Sequence, residues 1–194
     1  GEVVQVWRPR ELNTHETEWG FSCMSYEISG ALGIKMANPD KEVITFVGDG
    51  SYLLFNSDIY SSVITNHKLI IIVCDNGGHA VINRLQVSKG GKEFNCLLKS
   101  SNVSNLVSVD FASHAKSMGA EGEHVNSISE LEEAFKRAKK SKKTYLISIN
   151  TDGYQWLEGS AYWESPTLSI PSTKENKKAL KDHLEGKKKQ RRGV

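Results

Sequence analysis

Two stretches of the chain are apolar almost throughout, Val43-Ile44-Thr45-Phe46-Val47 and Leu69-Ile70-Ile71-Ile72-Val73-Cys74. Unbroken apolar runs of this length, rich in β-branched residues and bounded by turn formers, predict strands buried on both faces, as in a parallel sheet. Tyr145–Asn150 has the same character and stops at the breaker Thr151-Asp152-Gly153. Between these runs the pattern shifts to helical spacing. Residues 22–37 carry small and apolar positions up to Asn38-Pro39-Asp40, where a helix must end. Asn56 is placed to cap a helix over 57–66 whose Ile59 and Val63 share a face, and 110–118 form a further helical stretch closed by Gly119. A fourth covers 129–140, with Ser129 as N-cap, Glu132 completing a capping box, and Leu131, Phe135 and Ala138 turned inward. Strand alternating with helix predicts an α/β fold: a doubly wound, mostly parallel sheet with helices on both faces and right-handed crossovers. Residues 81–108 form the longest stretch without a clear period, and a segment that long in a compact domain is usually functional.

Composition narrows the class without deciding it. A chain of 194 residues, 38% hydrophobic and 25% charged, is an ordinary globular protein. At this size roughly 70% of the unfolded surface is buried, so neither disulfide nor metal is required for folding. No run approaches the ~18 apolar residues of a membrane helix, and the first ten residues lack the pattern of a signal peptide. Cys23, Cys74 and Cys96 are far apart and odd in number, with no C-x-x-C pair. That usage points to a reducing cytoplasm rather than to a secreted disulfide scaffold. The net charge of +2 conceals an asymmetry, because nine basic and three acidic residues fall between Lys174 and Arg192, leaving the remainder at −4. The body therefore offers no basic face for nucleic acid. The run Lys187-Lys188-Lys189-Gln190-Arg191-Arg192 either binds polyanions or is a solvated, frayed tail, and the second reading is favoured.

Chemistry concentrates at two strand ends. The first apolar strand runs into Gly48-Asp49-Gly50-Ser51 and the second into Asp75-Asn76-Gly77-Gly78. Open α/β sheets bind ligands at the carboxyl ends of their strands, and parallel neighbours bring both ends to one edge. Asp49 and Asn76, twenty-seven positions apart, are then expected to meet with a helix between them. A carboxylate, an amide oxygen and a nearby backbone carbonyl are hard ligands suited to Mg²⁺, which completes its octahedron with phosphate oxygens and water. Gly48 and Gly50 permit a tight turn and close backbone approach to a phosphate, and the following helix N-terminus adds positive potential. A lone G-D-G after a strand is ordinarily just a turn. Strand, G-D-G, helix, strand and D-N-G-G at this spacing is far more specific.

The block from Gly48-Asp49-Gly50 through twenty-five residues to Asn76 resembles the signature of thiamine-diphosphate enzymes, which opens with G-D-G and closes with N-N. The upstream E-W-G-F-S-C-M-S-Y-E-I-S-G-A-L-G and the downstream D-F-A-S-H-A-K-S-M-G-A-E-G resemble the segments flanking that signature, so the likeness covers roughly 19–151. It implies that Asp49, the side-chain oxygen of Asn76 and the carbonyl of Gly78 bind Mg²⁺, and that the amides of Gly50 and Ser51 hold the diphosphate. It implies further that Met24 is the wedge between the two cofactor rings, where a lone Met otherwise means core packing. The backbone of Ser22 and Met24 would meet the pyrimidine edge. His79 touches diphosphate or substrate, or merely fills the loop. His15, His67, His114, His124 and His183 show no metal spacing, so a zinc site is not expected. Asn83 and Arg84 face either substrate or solvent.

Two departures refine the resemblance. Asp75 replaces the first Asn of N-N, a position that precedes the ligand. Tyr26-Glu27-Ile28 replaces the small Gly- and Pro-rich turn of acetolactate-synthase-like members. Residues 24–33 and Ile82-Asn83-Arg84-Leu85-Gln86 are instead similar to the trihydroxycyclohexane-1,2-dione hydrolases of myo-inositol catabolism. That branch implies C–C cleavage of a cyclic dione to 5-deoxy-glucuronate, with the cofactor as electron sink. Such chemistry needs a glutamate at the pyrimidine, expected outside this chain on a pyrimidine-binding domain of the same polypeptide or of a partner subunit. Nothing here resembles that domain, and Glu11, Glu16 and Glu18 fit no motif for the role. The expectation is therefore half a site: a connecting segment over 1–18, a cofactor domain over 19–155, and an extension with a basic tail over 156–194. A cytoplasmic homo-oligomer without membrane or nucleic-acid partner is expected. The competing readings are an acetolactate-synthase-like carboligase, an oxo-acid oxidoreductase subunit, a cofactor-binding module without catalysis, and a flavodoxin-like nucleotide binder.

Overall fold

A computed structural model describes residues 2–18, 20–157 and 167–189; Trp19 and the tail residues Gln190-Arg191-Arg192 lie outside them. A short helix α1 (Glu2–Val6) and an irregular segment lead to α2 (Tyr26–Ala37), β1 (Ile44–Gly48), α3 (Asp49–Leu54), α4 (Asp58–Ile64) and β2 (Ile70–Asp75). Then follow α5 (Ala80–Ser88), a single 3₁₀ turn at Leu98–Ser100, α6 (Phe111–Ser117), β3 (Glu121–Val125), α7 (Ile128–Lys140), β4 (Tyr145–Asn150) and α8 (Lys174–Lys189). The four strands are all parallel in the order β1-β2-β4-β3. The doubly wound α/β expectation holds.

The three apolar runs supply the three strands that lie side by side. Their alternate residues feed two cores. Val47, Leu69, Ile71, Val73 and Leu146 pack with Ile28, Ala31 and Leu32 of α2, Ile59 of α4, and Phe111 and Ala115 of α6. On the other face Ile70, Tyr145, Ile147 and Ile149 meet Ala134 and Ala138 of α7, with Leu131 and Phe135 at its margin. Helices thus cover both faces, as continuous apolar strands require.

Several local features differ from the sequence pattern. The pattern does not predict β3, whose sequence Glu-Gly-Glu-His-Val holds a single large apolar residue, because it is an edge strand with only Gly122 and Val125 buried. It does not predict α5 or α8 either, so the unpatterned 81–108 segment begins as helix. Helix α7 starts one residue earlier than the pattern predicts, and its cap lies two residues earlier. Ser127, not Ser129, caps it by accepting from Glu130 N, and Glu130 returns the bond to Asn126 N, so the capping box omits Glu132. Asn56 is not the cap of α4: Ser57 holds that place, and the Asn56 amide donates backwards to Tyr52 O at 3.0 Å. Lys187, Lys188 and Lys189 complete α8, which docks on the end of α5 through Asn176 Nδ2, 2.9 Å from Gly90 O and 3.3 Å from Lys89 O. Among the described residues, no helix is long and apolar enough to cross a membrane.

Candidate cofactor site at the carboxyl edge of the sheet

Register makes the site. Gly48 pairs with Cys74, so β1 and β2 end within one residue of each other and the residues that follow emerge at the same edge. Gly48 is extended and directly precedes α3, which places Asp49, Gly50 and Ser51 in the first helical turn. Asp49 is 4% exposed and accepts the backbone N–H of Asn76 at 3.1 Å. Burial pushes its carboxyl above the usual carboxylate range; the Asn76 and Gly78 amides pull the other way, and the charge of Asp75 adds to the rise. A buried carboxylate in that state gains most from a cation.

The Asn76 side chain reveals what the pocket accepts. The end of its amide lies 3.3 Å from Asp49 Oδ1 and 3.0 Å from Gly78 O; with the NH₂ on that side it donates to both, and with the oxygen there only oxygens meet. Three oxygens with no proton between them repel one another. Either the amide turns its NH₂ toward the other two, or a cation joins all three. Neighbouring oxygens around an octahedral Mg²⁺ with 2.0–2.1 Å bonds lie about 2.9 Å apart, close to this spacing. The donor set is therefore of the kind a hard divalent cation takes, and the three residues singled out from the sequence are brought together.

Behind this triangle the loop is packed without slack. A side chain at Gly50 would strike the His79 ring and come within 3.0 Å of Gly78 O, so only glycine fits beneath the loop. His79 thus lies against the helix turn of Gly50 and Ser51, with its Nδ1 buried and lacking a partner among the described residues. Met24 is not core: it sits in the turn before α2 and is 41% exposed. Ser22 also lies outside any helix, at φ +51°.

Sequence reasoning missed what holds Met24 in place. Ser25 N donates to Ser51 Oγ at 2.6 Å, Ser25 Oγ donates to Ser51 O at 2.7 Å, and Ser51 Oγ donates to the Glu27 carboxylate at 3.0 Å. The turn bearing Met24 is thereby bolted to the helix turn that offers its amides. Ser25 and Glu27, two polar residues at the start of a largely apolar helix, were the available signal. Upstream, Glu18 accepts the amides of Phe21 and Cys23, each at 2.7 Å, and those bonds hold its carboxyl below the usual range. Asn83 is buried, donating to Glu93, and Arg84 pairs with Glu2 at 3.0 Å beneath the Trp156 ring. Neither is a free loop residue.

Comparison with known proteins gives this edge its class. The profile of the family described as thiamine pyrophosphate enzyme, C-terminal TPP binding domain, matches residues 1–149, and the chain belongs to that family. Within it, the chain is similar to the 3D-(3,5/4)-trihydroxycyclohexane-1,2-dione hydrolases. It is 38% identical over 169 residues to that of Shouchella clausii, covering 83% of this chain and 26% of the relative. It is 36% identical over 169 residues to that of Bacillus subtilis, with the same coverage of each. The chain thus spans about a quarter of the length of these relatives. Among solved structures, the thiamine diphosphate-dependent 4-hydroxybenzoylformate decarboxylase of Rhodococcus jostii superposes with a TM-score of 0.55 at 24% identity, covering 66% of this chain and 23% of that one. That likeness supports the fold.

Proposed function

We propose that this chain is the diphosphate- and Mg²⁺-binding half of a hydrolase that opens a cyclic 1,2-dione, turning trihydroxycyclohexane-1,2-dione into 5-deoxy-glucuronate in inositol catabolism. The observation that carries the metal reading is the convergence of the Asp49, Asn76 and Gly78 oxygens at the carboxyl ends of two parallel strands. The relatives' names carry the substrate reading.

In this reading Asp49, Asn76 Oδ1 and Gly78 O would hold Mg²⁺, whose charge would offset the buried carboxylate and favour a diphosphate at this edge. The N–H groups of Gly50 and Ser51 donate to that diphosphate from the first turn of α3, where the helix dipole favours negative charge. Gly48 lets the backbone turn, and His79 walls the diphosphate loop. Met24 presents its exposed thioether to the cofactor rings, fixed by the Ser25–Ser51 bonds, while the backbone of Ser22 and Met24 receives the pyrimidine edge. The bound thiamine diphosphate supplies the electron sink for C–C cleavage. The glutamate that activates it comes from a pyrimidine-binding domain in the same polypeptide, completing the site in a cytoplasmic homo-oligomer. We assign the cofactor domain to 19–155, the connection to 1–18 and an extension to 156–194. The last strand at Asn150 supports the C-terminal limit of that division, while the family match over 1–149 runs through the connection as well.

The test is made on the complete protein, stripped of cofactor and metal. Thiamine diphosphate should bind only with Mg²⁺, Asp49→Ala should abolish that dependence, and the reloaded protein should open the cyclic dione. Binding that ignores the metal sinks the site assignment, whereas turnover of pyruvate in place of the dione sinks the substrate assignment.

A further inference from the structure

Gly78 cannot act as a ligand unless its carbonyl is aimed, and the geometry points to residues 96–98 as the clasp that aims it. This inference deepens the Mg²⁺ reading above and rests on it. Gly78 and Leu97 form an antiparallel bridge. It is closed on one side by His79 N donating to Cys96 O at 2.7 Å and on the other by Leu98 N donating to Gly77 O at 2.8 Å. In an antiparallel ladder, the residue between two such bonds turns its own N–H and C=O away from the partner strand. The clasp therefore occupies the Gly77 carbonyl and directs that of Gly78 to the opposite side, 3.0 Å from the Asn76 side chain.

The approach is close. Gly78 has φ +140°, and a side chain there would collide with Cys96 O. On the clasp side Leu97 is 2% exposed, so the strand is seated by a buried anchor, while Leu98 points outward. Residues 96–98 belong to the stretch whose sequence shows no period. The irregular path of that stretch brings one extended residue, Leu97, with its two neighbours against a loop that has to present an oxygen. Metal binding and clasp closure must then be linked, since each favours the same loop conformation.

Leu98 allows a sharp test, because proline there removes the amide hydrogen that Gly77 O accepts and sets a ring carbon against that oxygen, opening the clasp at one point. It opens the 3₁₀ turn Leu98–Ser100, a position whose dihedral suits proline, and the preceding Leu97 is extended at φ −116° and ψ 142°, as proline demands of its neighbour. Leu98→Pro deletes the bond to Gly77 O; Leu98→Ala keeps the amide and trims only an exposed side chain. In the complete protein, Mn²⁺ affinity measured by electron paramagnetic resonance with thiamine diphosphate present should fall roughly three- to tenfold in Leu98→Pro, the value of one hydrogen bond. Leu98→Ala should bind and melt as the wild type does, and metal-free circular dichroism should show the same fold in Leu98→Pro, which melts lower. Should Leu98→Pro not fold, hydrogen exchange on the wild-type protein decides: adding Mg²⁺ should slow the Leu98 and His79 amides. Wild-type metal affinity in Leu98→Pro, or exchange at those amides indifferent to Mg²⁺, overturns the clasp. A wild-type protein that binds cofactor without any divalent ion overturns the Mg²⁺ reading instead.

Discussion

Met24 and Gly50 show how differently single residues can matter at one edge. Met24 is substantially exposed, so Met24→Ala should leave thermal stability nearly unchanged, whereas a buried methionine would lose about 2–5 kcal/mol on the same change. If Met24 supports the cofactor rings, the same variant of the complete protein loses turnover; a scanning calorimeter and a dione assay separate the two effects. Gly50→Ala has the opposite profile. Its new methyl would meet His79 and Gly78 O, and overpacking of this kind costs about 1–3 kcal/mol. Mg²⁺-dependent cofactor binding should weaken with it, and His79→Ala in the same chain should restore part of the loss in a binding titration. Asp49 and Asn76 were legible in the sequence because strand ends and spacing are local signals that topology multiplies. Ser25, Glu27 and Cys96 were not, since their partners lie on turns whose paths only the folded chain defines.

Among the elements, the strands with uniform apolar runs were legible, and the failures have physical reasons. Strand β3 carries charge because its outer edge faces solvent, and α5 lacks a simple stripe because its buried residue is Asn83. The start of α7 offers a clean check on where a cap resides. Ser127→Ala should destabilise by about 1 kcal/mol in urea unfolding, while Ser129→Ala should stay within about 0.5 kcal/mol of the wild type. The same helix ties down β3: the Arg137 guanidinium grips Glu123 at 2.6 and 2.9 Å, and Tyr145 donates to that carboxylate. Arg137 chiefly, with help from Tyr145, holds the Glu123 carboxyl below its ordinary 4.5 despite opposing burial. The stabilisation is thus complete above that value and is lost as pH falls through the lower folded value. Unfolding midpoints followed from about pH 6 to pH 3 should drop less steeply in Glu123→Gln than in the wild type.

For the whole molecule, the described residues form a four-stranded parallel sheet with helices on both faces and the candidate site at its carboxyl edge. The chain covers about a quarter of its relatives' length; Met24, held to the α3 turn through the Ser25–Ser51 bonds, stands exposed, and so does Phe21. Contacts to a pyrimidine ring that are worth even 60 Å² of apolar burial change affinity about tenfold. Isothermal calorimetry should accordingly find that these 194 residues alone hold thiamine diphosphate and Mg²⁺ at least about tenfold more weakly than the complete protein.

The strand order has a further consequence during synthesis. β4 lies between β2 and β3 but is translated last of the four, seventy-five residues after β2 begins. At 5–20 residues per second, a ribosome leaves the Ile70-Ile71-Ile72-Val73 ribbon with one flank unzipped for roughly 4–15 s. During that interval the nascent chain displays an unpaired apolar strand edge, the kind of surface that makes a folding intermediate prone to aggregate.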